Sequence, residues 1–519
     1  KIVSPKLKIL SVEWCQQITS LFALDFPELE YCSFIATNHD DFSALANCHN
    51  VKNLIISWFK RDVTLPNLSE CKQLTVLHLR SLGRVSELPA LAQDSILEEL
   101  DLSDMFQLKN LSLPVLPMLK TLHADGCRDL KTVDISNVST LEHLSLLRTP
   151  TLEELNGLAL NPLLENLELS DSQDLLSLAD LTNHPNIRSI SLNNCQSLQE
   201  LPELHKVPNL ESLQIYNCTE LAEVKSERNE NLKTLRIGGC RSITRIPSFD
   251  NFPSLEILLI AWFHSSTPIK NVASLKQLRE LRLSGHLGLR SLNLHGLNQL
   301  EKIDCSRCHH LETIEGSDCV SLRKLIAEEC HSLRRLSGFE KIQSLEEVVL
   351  SNCQTLEEID LIYYQPKLLV LDISGCQSLK KMPAFHDKTL QSLKVLNLSN
   401  RPYPTDLSKI VAPYAGIEVL NIESVTQIYE FSPLINLPNL KELHGLSVAD
   451  RDNILCQIFL RYGNIGAISS HISSFFQSLP KSAHISEFAK NIISALNLTN
   501  APLKRWKELF ELLQKKERF

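Results

Sequence analysis

One leucine spacing, LxxLxL followed by two residues and often a cysteine, recurs along most of the chain and constrains its fold more than any other feature. It starts anew every 22 or 23 residues, with two longer intervals of 25 and 24 residues between positions 368 and 417. A period held over more than 430 residues is the signature of a solenoid, in which each repeat adds one coil to a stack. The twenty repeats start at residues 7, 29, 51, 74, 97, 119, 141, 164, 187, 210, 232, 255, 278, 300, 322, 345, 368, 393, 417 and 440.

Within each repeat, apolar residues alternate with polar ones through a short segment that reads as a strand. Successive side chains of a strand point to opposite faces, so the fourth and sixth positions face inward and the third, fifth and seventh face solvent. One repeat cannot enclose a core alone, and neighbouring repeats must therefore stack and pair their strands in parallel. A unit of about 23 residues leaves little room for a full helix, so we expect returns made of loops or short 3₁₀ turns.

The clearest copies share the form LxxLxLSGCxxLxxLP, which resembles the cytosolic leucine-rich repeats of plant intracellular immune receptors and of bacterial effectors with eukaryote-like repeats. The resemblance covers residues 7–446 and implies an α/β solenoid, an arc of about twenty repeats of 22–25 residues with a parallel concave sheet. The chain lacks the GxxxxGK[ST] loop that the nucleotide-binding switch of such a receptor would carry. The copies that carry the resemblance are LKTLHADGC (119–127), LESLQIYNC (210–218), LKTLRIGGC (232–240) and LLVLDISGC (368–376).

Most of the cysteines are explained by the repeat. Other repeat families place Asn at the ninth position, where a small polar side chain satisfies backbone groups at the end of the strand. Regular stacking gives thiol pairs poor geometry for a disulfide, so reduced thiols and a cytoplasmic location are expected. Nine of the fifteen cysteines lie at the ninth position: Cys15, Cys127, Cys195, Cys218, Cys240, Cys308, Cys330, Cys353 and Cys376.

The segment CSRCHH (305–310) contains CxxCH, a pattern for haem attachment that also suits half of a zinc site. In register, however, Cys305 takes a sixth position that normally enters the core, and Cys308 takes a ninth position. The repeat accounts for both cysteines, so we expect no metal and no cofactor.

The charge balance limits the partners. With 52 basic and 61 acidic residues, the formal net charge is −9, which disfavours binding to the phosphate backbone of a nucleic acid. Charges interrupt every apolar stretch well before the roughly 18 residues of a membrane span. The sequence therefore predicts a soluble protein that binds no nucleic acid and is unlikely to engage a membrane.

Outward positions of the predicted strands carry charges of both signs. They include Asp101 and Asp125, and a basic pair formed by Arg236 and Arg282. These four are candidate partner-binding residues on the concave sheet, and the alternative is a solvated polar surface. Histidines on the strands are accompanied by no nucleophile motif or ligand spacing, so no catalytic residue is predicted.

The third and twelfth repeats, VKNLIISWFKRD and LEILLIAWFHSS, differ from the others. They place Ile55, and Ile257 with Leu259, at outward positions, followed by Trp58 or Trp262 and by Phe in the cysteine slot. Two explanations stay open: a duplicated variant coil in which Trp covers an altered turn, or aromatic anchors for a protein partner, since Trp is enriched in interface hot spots.

After residue 446 the period stops, which predicts two domains, 1–446 and 447–519. The second part carries 10 basic and 6 acidic residues, and its apolar spacing of three and four predicts a small bundle of helices. This bundle could cover the end of the solenoid or, through an amphipathic last helix, dock a partner or a membrane surface. Its only cysteine, Cys456, lies in CQI, whereas ubiquitin ligases of the effector class resemble Cys-x-Asp.

These features favour a recognition module without enzymatic activity that binds a protein partner through the concave face and rim of the arc. It would act in an innate-immune receptor or in a bacterial effector inside the host cytoplasm. The alternative is an effector enzyme whose C-terminal helices transfer ubiquitin while the repeats hold the substrate. The pattern does not specify an oligomeric state.

Overall fold

The apolar alternation at the start of every repeat folds into a short strand, as a computed structural model shows. The structure describes residue 454 and residues 5–446, except residues 16, 18–25, 60, 179–180, 182–183, 263–268, 270, 340, 382, 403–404, 411, 413–414, 426–427 and 429–430. The chain forms two units, Lys1–Leu275 and Lys276–Phe519. The predicted helical bundle after residue 446 lies outside the described residues.

In the first unit, twelve of the described strands form one parallel sheet in chain order, and β6, β8 and β10 form a second, smaller parallel sheet. The strands are β1 (Ile9–Glu13), β2 (Tyr31–Ile35), β3 (Asn53–Phe59), β4 (Val76–Leu82), β5 (Glu99–Asp101), β6 (Asn110–Ser112), β7 (Thr121–His123), β8 (Thr132–Asp134), β9 (His143–Ser145), β10 (Glu154–Asn156), β11 (Asn166–Glu168), β12 (Ser189–Asn193), β13 (Ser212–Tyr216), β14 (Thr234–Gly238) and β15 (Ile257–Ala261). The 3₁₀ helices are Ser43–Asn47, Leu158–Leu160, Leu204–Lys206, Phe249–Asn251 and Val272–Ser274.

In the second unit, eight of the described strands form a parallel sheet in chain order, and β17, β19 and β21 form a smaller one. The strands are β16 (Glu280–Arg282), β17 (Ser291–Asn293), β18 (Lys302–Asp304), β19 (Thr313–Glu315), β20 (Lys324–Ile326), β21 (Arg335–Ser337), β22 (Glu347–Val349), β23 (Val370–Asp372), β24 (Val395–Asn397), β25 (Val419–Asn421) and β26 (Glu442–His444). The helices are α1 (Asp387–Ser392) and the 3₁₀ segments Asp360–Ile362, Leu407–Ile410 and Ser432–Asn436.

The core lies behind the main sheet of each unit, as the alternation predicts. In the sixth repeat, for example, Leu119, Leu122 and Ala124 are fully buried, while Thr121 and His123 between them stay partly exposed. All twenty repeat starts lead into a strand of a main parallel sheet within the described residues, so the predicted parallel solenoid is confirmed there.

The returns are richer in structure than predicted. Loops and 3₁₀ turns occur as expected, but six described returns contain a strand of a smaller sheet instead. Such returns repeat the leucine spacing, as in LKNLSL (108–113), where Leu108, Leu111 and Leu113 are buried. A second alternating segment therefore makes a second strand.

The second position of most repeats carries a charged residue, and these charges alternate in sign over short runs. The Glu30 carboxylate accepts hydrogen bonds from Lys52 Nζ at 2.7 Å and Lys8 Nζ at 2.8 Å, and these lower its pKa to about 2. Glu418 is likewise paired with Lys394 and Lys441. Exposed pairs contribute little stability each, but like charges side by side on neighbouring strands would be unfavourable.

Candidate interaction surface

The eighth residue of each described repeat, at or shortly beyond the end of the strand, has a left-handed backbone. In the nineteen repeats where this residue is described, its φ lies between 51° and 70°. Its N–H still pairs with the next repeat: Asn217 N donates to Gly238 O at 2.8 Å. The left-handed residue turns the chain so that the ninth side chain enters the core. We call the row of eighth-position residues the rim.

Residues that adopt a left-handed backbone with little steric strain occupy much of the rim. Glycine accepts a positive φ freely, and Asn and Asp tolerate it better than other residues. Other L-residues pay roughly 1–2 kcal/mol for it. Four Gly, four Asn and two Asp occupy the rim: Gly126, Gly239, Gly285, Gly375, Asn194, Asn217, Asn352, Asn400, Asp104 and Asp171.

Three of the four tryptophans lie at this unfavourable position. Trp14, Trp58 and Trp262 have φ values of 55°, 69° and 59°, and their side chains are 68%, 61% and 52% exposed. Burial therefore does not compensate for the backbone strain. More than half of the surface of Trp58 and of Trp262 is thus exposed on the rim.

Directly after Trp58, a phenylalanine takes the ninth position, which in other repeats is a buried cysteine. Phe59 is buried, and its ring meets that of Phe42 edge-on at a centroid distance of 5.4 Å. Ile55 is half-buried on the outer face of β3, in register with Ser33 on one side and His78 on the other. The variant-coil explanation thus accounts for Phe59, while it leaves the exposed Trp58 unexplained.

Around Trp262, Ile257 and Leu259 are half-buried on the outer face of β15. Leu259 is in register with Arg236, and Ala261 with Gly238. Phe263, the expected occupant of the cysteine slot, lies outside the described residues.

A tyrosine that sequence analysis missed lies close to this second cluster, with its ring over the neighbouring strand β14. A Cβ atom at Gly238 would lie 2.9 Å from the Tyr216 ring, so the glycine makes room for the aromatic ring over the sheet. The signal was present in the sequence, because Tyr216 and Gly238 occupy the same outward position of successive repeats.

The two aromatic clusters are separate places in the first unit. Eight strands of the main sheet lie between β3 and β15, and nine spacings of about 4.8 Å make about 43 Å along the sheet. The structure does not bring Trp58 and Trp262 together, and each cluster would contact a partner at its own point.

Asp101 is on the outer face as predicted, but it is buried rather than exposed, because Arg80 covers it at 2.5 Å. Its carboxylate also accepts the backbone N–H of Ser103 at 2.9 Å. Burial by itself raises the pKa of Asp101, but the hydrogen bonds of Ser103 and the charge of Arg80 outweigh it and the pKa is lowered. The residue stabilises the strand end.

The other three charged candidates differ in whether they have partners within the chain. Asp125 is half-buried and accepts hydrogen bonds from Ser145 Oγ and Leu147 N, both at 2.7 Å. Arg282, in the second unit, pairs with Glu280 at 2.5 Å. Arg236 is different: its Nε is buried without a hydrogen-bond partner among the described residues. Of the four charged candidates, Arg236 thus has a buried donor that no described residue satisfies.

The second unit carries an outward apolar row that sequence analysis also missed. Val370, Val395 and Val419 are in register at the third position of successive repeats and are half-buried. The criterion that singled out Ile257 would have found them, because apolar residues at outward positions are visible in the repeat register.

The ninth-position cysteines act as hydrogen-bond donors in the core. The thiols of Cys308 and Cys353 donate to Leu283 O and Ala327 O, both at 2.9 Å, and that of Cys195 donates to Leu169 O at 3.0 Å. Burial raises the pKa of Cys308 to about 12, which disfavours the thiolate that metals and nucleophilic chemistry need. Cys305 is buried too, so both cysteines of CSRCHH belong to the core.

No group of His, Cys, Asp and Glu suited to a metal occurs within the part of the chain that the structure describes. Searched over the same residues, no helix has the length and apolar character to cross a bilayer.

The period, the parallel pairing and the inward leucines together define the fold. The chain is a leucine-rich repeat solenoid in each of its two units. No protein-family model and no curated protein matches it. Similar solved structures include the functional domain of InlJ from Listeria monocytogenes, with 16% identity, a TM-score of 0.33 and 78% of this chain and 70% of that chain covered.

Two further repeat structures show comparable similarity. The TLR13–ssRNA13 complex has 17% identity, a TM-score of 0.37 and coverage of 84% of this chain and 73% of that chain. The internalin InlF from Listeria monocytogenes str. 4b F2365 has 13% identity, a TM-score of 0.27 and coverage of 81% and 82%. At these values the leucine-rich repeat assignment rests on this chain's own strands and register.

Proposed function

We propose that the chain is a recognition module that binds a protein partner through the outer face and rim of the first unit. The observation that carries the proposal is the exposed tryptophan at a left-handed turn, found at Trp58 and Trp262. Strained residues that packing does not require tend to mark functional sites, and Trp is the residue most often found at the energetic centre of protein interfaces.

Each tryptophan follows apolar residues of its own repeat. Ile55 precedes Trp58 by three residues, and Ile257 and Leu259 precede Trp262 by five and three residues, all at half-buried outward positions. An aromatic anchor next to aliphatic surface is the composition of an interface core. Arg236 supplies a guanidinium beside Leu259 for a carboxylate or carbonyl of the partner. Asp101, Asp125 and Arg282 have internal partners, so we assign them a supporting role.

The setting we propose is the cytoplasm, in an immune receptor or an effector that acts there. Buried thiols that donate hydrogen bonds to carbonyls need their protons, and a reducing compartment keeps them. Cys456, on which the ubiquitin-ligase alternative depends, lies outside the described residues, and no described residue favours catalysis.

The test compares partner capture by the wild-type chain, by Trp58→Asn with Trp262→Asn, and by Arg148→Asn. Asn is the residue that the rim uses at Asn194 and Asn217, so the fold is retained, and exposed Arg148 provides a rim substitution that removes no tryptophan. Proteins captured by the wild type and by Arg148→Asn should be recovered about tenfold less by the double variant. Equal recovery by all three proteins would refute the proposal.

A further inference from the structure

Trp14 and Trp58 lie two positions apart on the rim, with the small residue Ala36 between them. The first three strands are paired in register, and the pairing continues through the turn: Trp14 N donates to Ile35 O at 2.8 Å and Ala36 N donates to Ser57 O at 2.9 Å. Successive rim residues are therefore about one strand spacing apart, and the Cα atoms of Trp14 and Trp58 are separated by about 10 Å.

Long rim side chains one repeat apart can touch. Asn217 Nδ2 donates to Asn194 Oδ1 at 2.9 Å, and Arg307 Nε lies 3.3 Å from Glu329 Oε2. Between Trp14 and Trp58, Ala36 contributes only a methyl group. The two indoles are 68% and 61% exposed, so they do not close over it. We call the space bounded by these three residues the slot.

The width of the slot suits one flat group. Contact on both faces of a planar group requires about 3.5–4.0 Å on each side, or about 7–8 Å between the two indole planes. Side chains that rise from Cα atoms about 10 Å apart can take up this separation with small rotations. A guanidinium, an aromatic ring or a nucleobase has the required thickness.

The charge around the slot selects among these groups. The described residues of the segments 13–15, 35–41 and 57–62 include four carboxylates and one cation, Arg61. Residues 1–446 as a whole carry −13, since 447–519 contribute +4 to the total of −9. The carboxylates favour a cation, and the faces of Trp attract cations as well, whereas a nucleic acid would be repelled. The carboxylates are Glu13, Asp40, Asp41 and Asp62, which are all exposed.

We propose that the slot holds an arginine side chain of the protein partner, with its guanidinium stacked between Trp14 and Trp58. Arginine is preferred over lysine because its cation is planar and weakly hydrated and stacks on aromatic faces. The proposal rests on the proposed function and adds the chemistry of one contact: the partner presents an exposed arginine to the first three repeats.

The test uses fluorine NMR of the full chain labelled with fluorotryptophan. Its four tryptophans give four resonances, assigned with Trp14→Asn, Trp58→Asn and Trp262→Asn. The probes are the N-acetyl amides of arginine, lysine and phenylalanine, and adenosine monophosphate. In the titration with the arginine amide, the resonances of Trp14 and Trp58 should shift together with one midpoint concentration. This midpoint should be at least about threefold lower for arginine than for lysine, in line with a stacking preference of under 1 kcal/mol. Separate midpoints for the two tryptophans, or a stronger response to phenylalanine or to adenosine monophosphate, would overturn the proposal.

In a second variant, an arginine of the chain itself occupies the slot. Arg148 and Arg307 show that the rim backbone accepts arginine, so Ala36→Arg places a guanidinium between the indoles without disturbing the turn. It should move both resonances in the absence of any probe and abolish their response to arginine, while Ala36→Asn should keep the response. If Ala36→Arg behaves like Ala36→Asn, no guanidinium binds in the slot.

The failure of this proposal differs from the failure of the proposed function. If Trp58→Asn with Trp262→Asn loses the partner while Ala36→Arg keeps it, the surface binds a protein but the slot does not hold an arginine. If the double variant keeps the partner, the proposed function fails, and the NMR titration still reports on the slot alone.

Discussion

The tenth and the third repeat have the same backbone, but their eighth residues differ in how well they suit it. In the tenth repeat, Asn217 suits the left-handed rim and Cys218 is buried. In the third repeat, Trp58 opposes the same rim conformation while Phe59 fills the core. The tenth repeat is therefore consistent with stability at both positions. The third repeat is consistent with it only in the core, which points to a different reason for Trp58 on the rim.

The largest effect on stability should come from the buried ninth residue of the third repeat. Phe59→Ala removes a ring that packs edge-on against Phe42, and we expect a loss of about 3–5 kcal/mol in the free energy of unfolding. Phe59→Cys, which restores the usual ninth residue, should also destabilise, because the surroundings have adapted to a ring. Urea denaturation followed by circular dichroism measures both. An unchanged midpoint in Phe59→Cys would mean that the third repeat is an ordinary one.

The cysteine repeats can be tested through the hydrogen bond of the thiol. Cys353→Ala leaves Ala327 O without the thiol donor that lies at 2.9 Å, and we expect a loss of about 1–3 kcal/mol. Cys353→Ser keeps a donor and should lose less. Cys15→Ala provides the control, because Cys15 is exposed and should tolerate the change. Equal stability of the alanine and serine variants at position 353 would show that the thiol contributes volume only.

Replacing the rim tryptophan of the third repeat should increase stability and weaken binding to the partner. Trp58→Asn relieves the positive φ of a bulky residue, so we expect the free energy of unfolding to rise by about 1 kcal/mol while the affinity for the partner falls. Arg148→Asn should give a similar or smaller gain without affecting the affinity. Denaturation and binding are measured on the same preparations, and a destabilised Trp58→Asn would show that the indole supports the fold.

A smaller effect concerns His286, which stands in the cysteine slot of the second unit and is fully buried. Burial lowers the pKa of His286 below its ordinary value of 6.5. The unfolded chain therefore binds the proton more readily, and stability is complete above about pH 6.5 and declines as pH falls toward the folded-state pKa. His286→Cys should reduce the loss of stability between about pH 7 and about pH 5. Equal pH profiles would mean that other groups cause the acid sensitivity.

The framework followed from the sequence because the period itself is set by the core. Leucines at fixed positions define the strands, the parallel pairing and the inward face without reference to any distant contact. The left-handed rim was also visible in the sequence, because Gly, Asn and Asp recur at the eighth position. Trp58 departs from this pattern and makes it harder to recognise. The strands of the smaller sheets were encoded in the same way, by a second leucine spacing in the returns.

What the sequence could not supply depends on side-chain conformation. Asp101 is at an outward position, and only the course of Arg80 makes it buried. Tyr216 lies close to the cluster at Leu259 because Gly238 leaves room above the strand between them. The slot between Trp14 and Trp58 depends on the absence of a long side chain at position 36 together with the openness of both indoles. Each of these outcomes requires knowing how neighbours in space, not in sequence, share a surface.

The alternating charges at the second position have a consequence for how such an array can change its length. Lys8, Glu30 and Lys52 follow one another on adjacent strands, and Lys394, Glu418 and Lys441 do the same. The loss of the repeat that carries Glu30 or Glu418 by unequal recombination would bring two lysines side by side and leave two like charges opposed. In these stretches the loss of the central repeat is thus disfavoured.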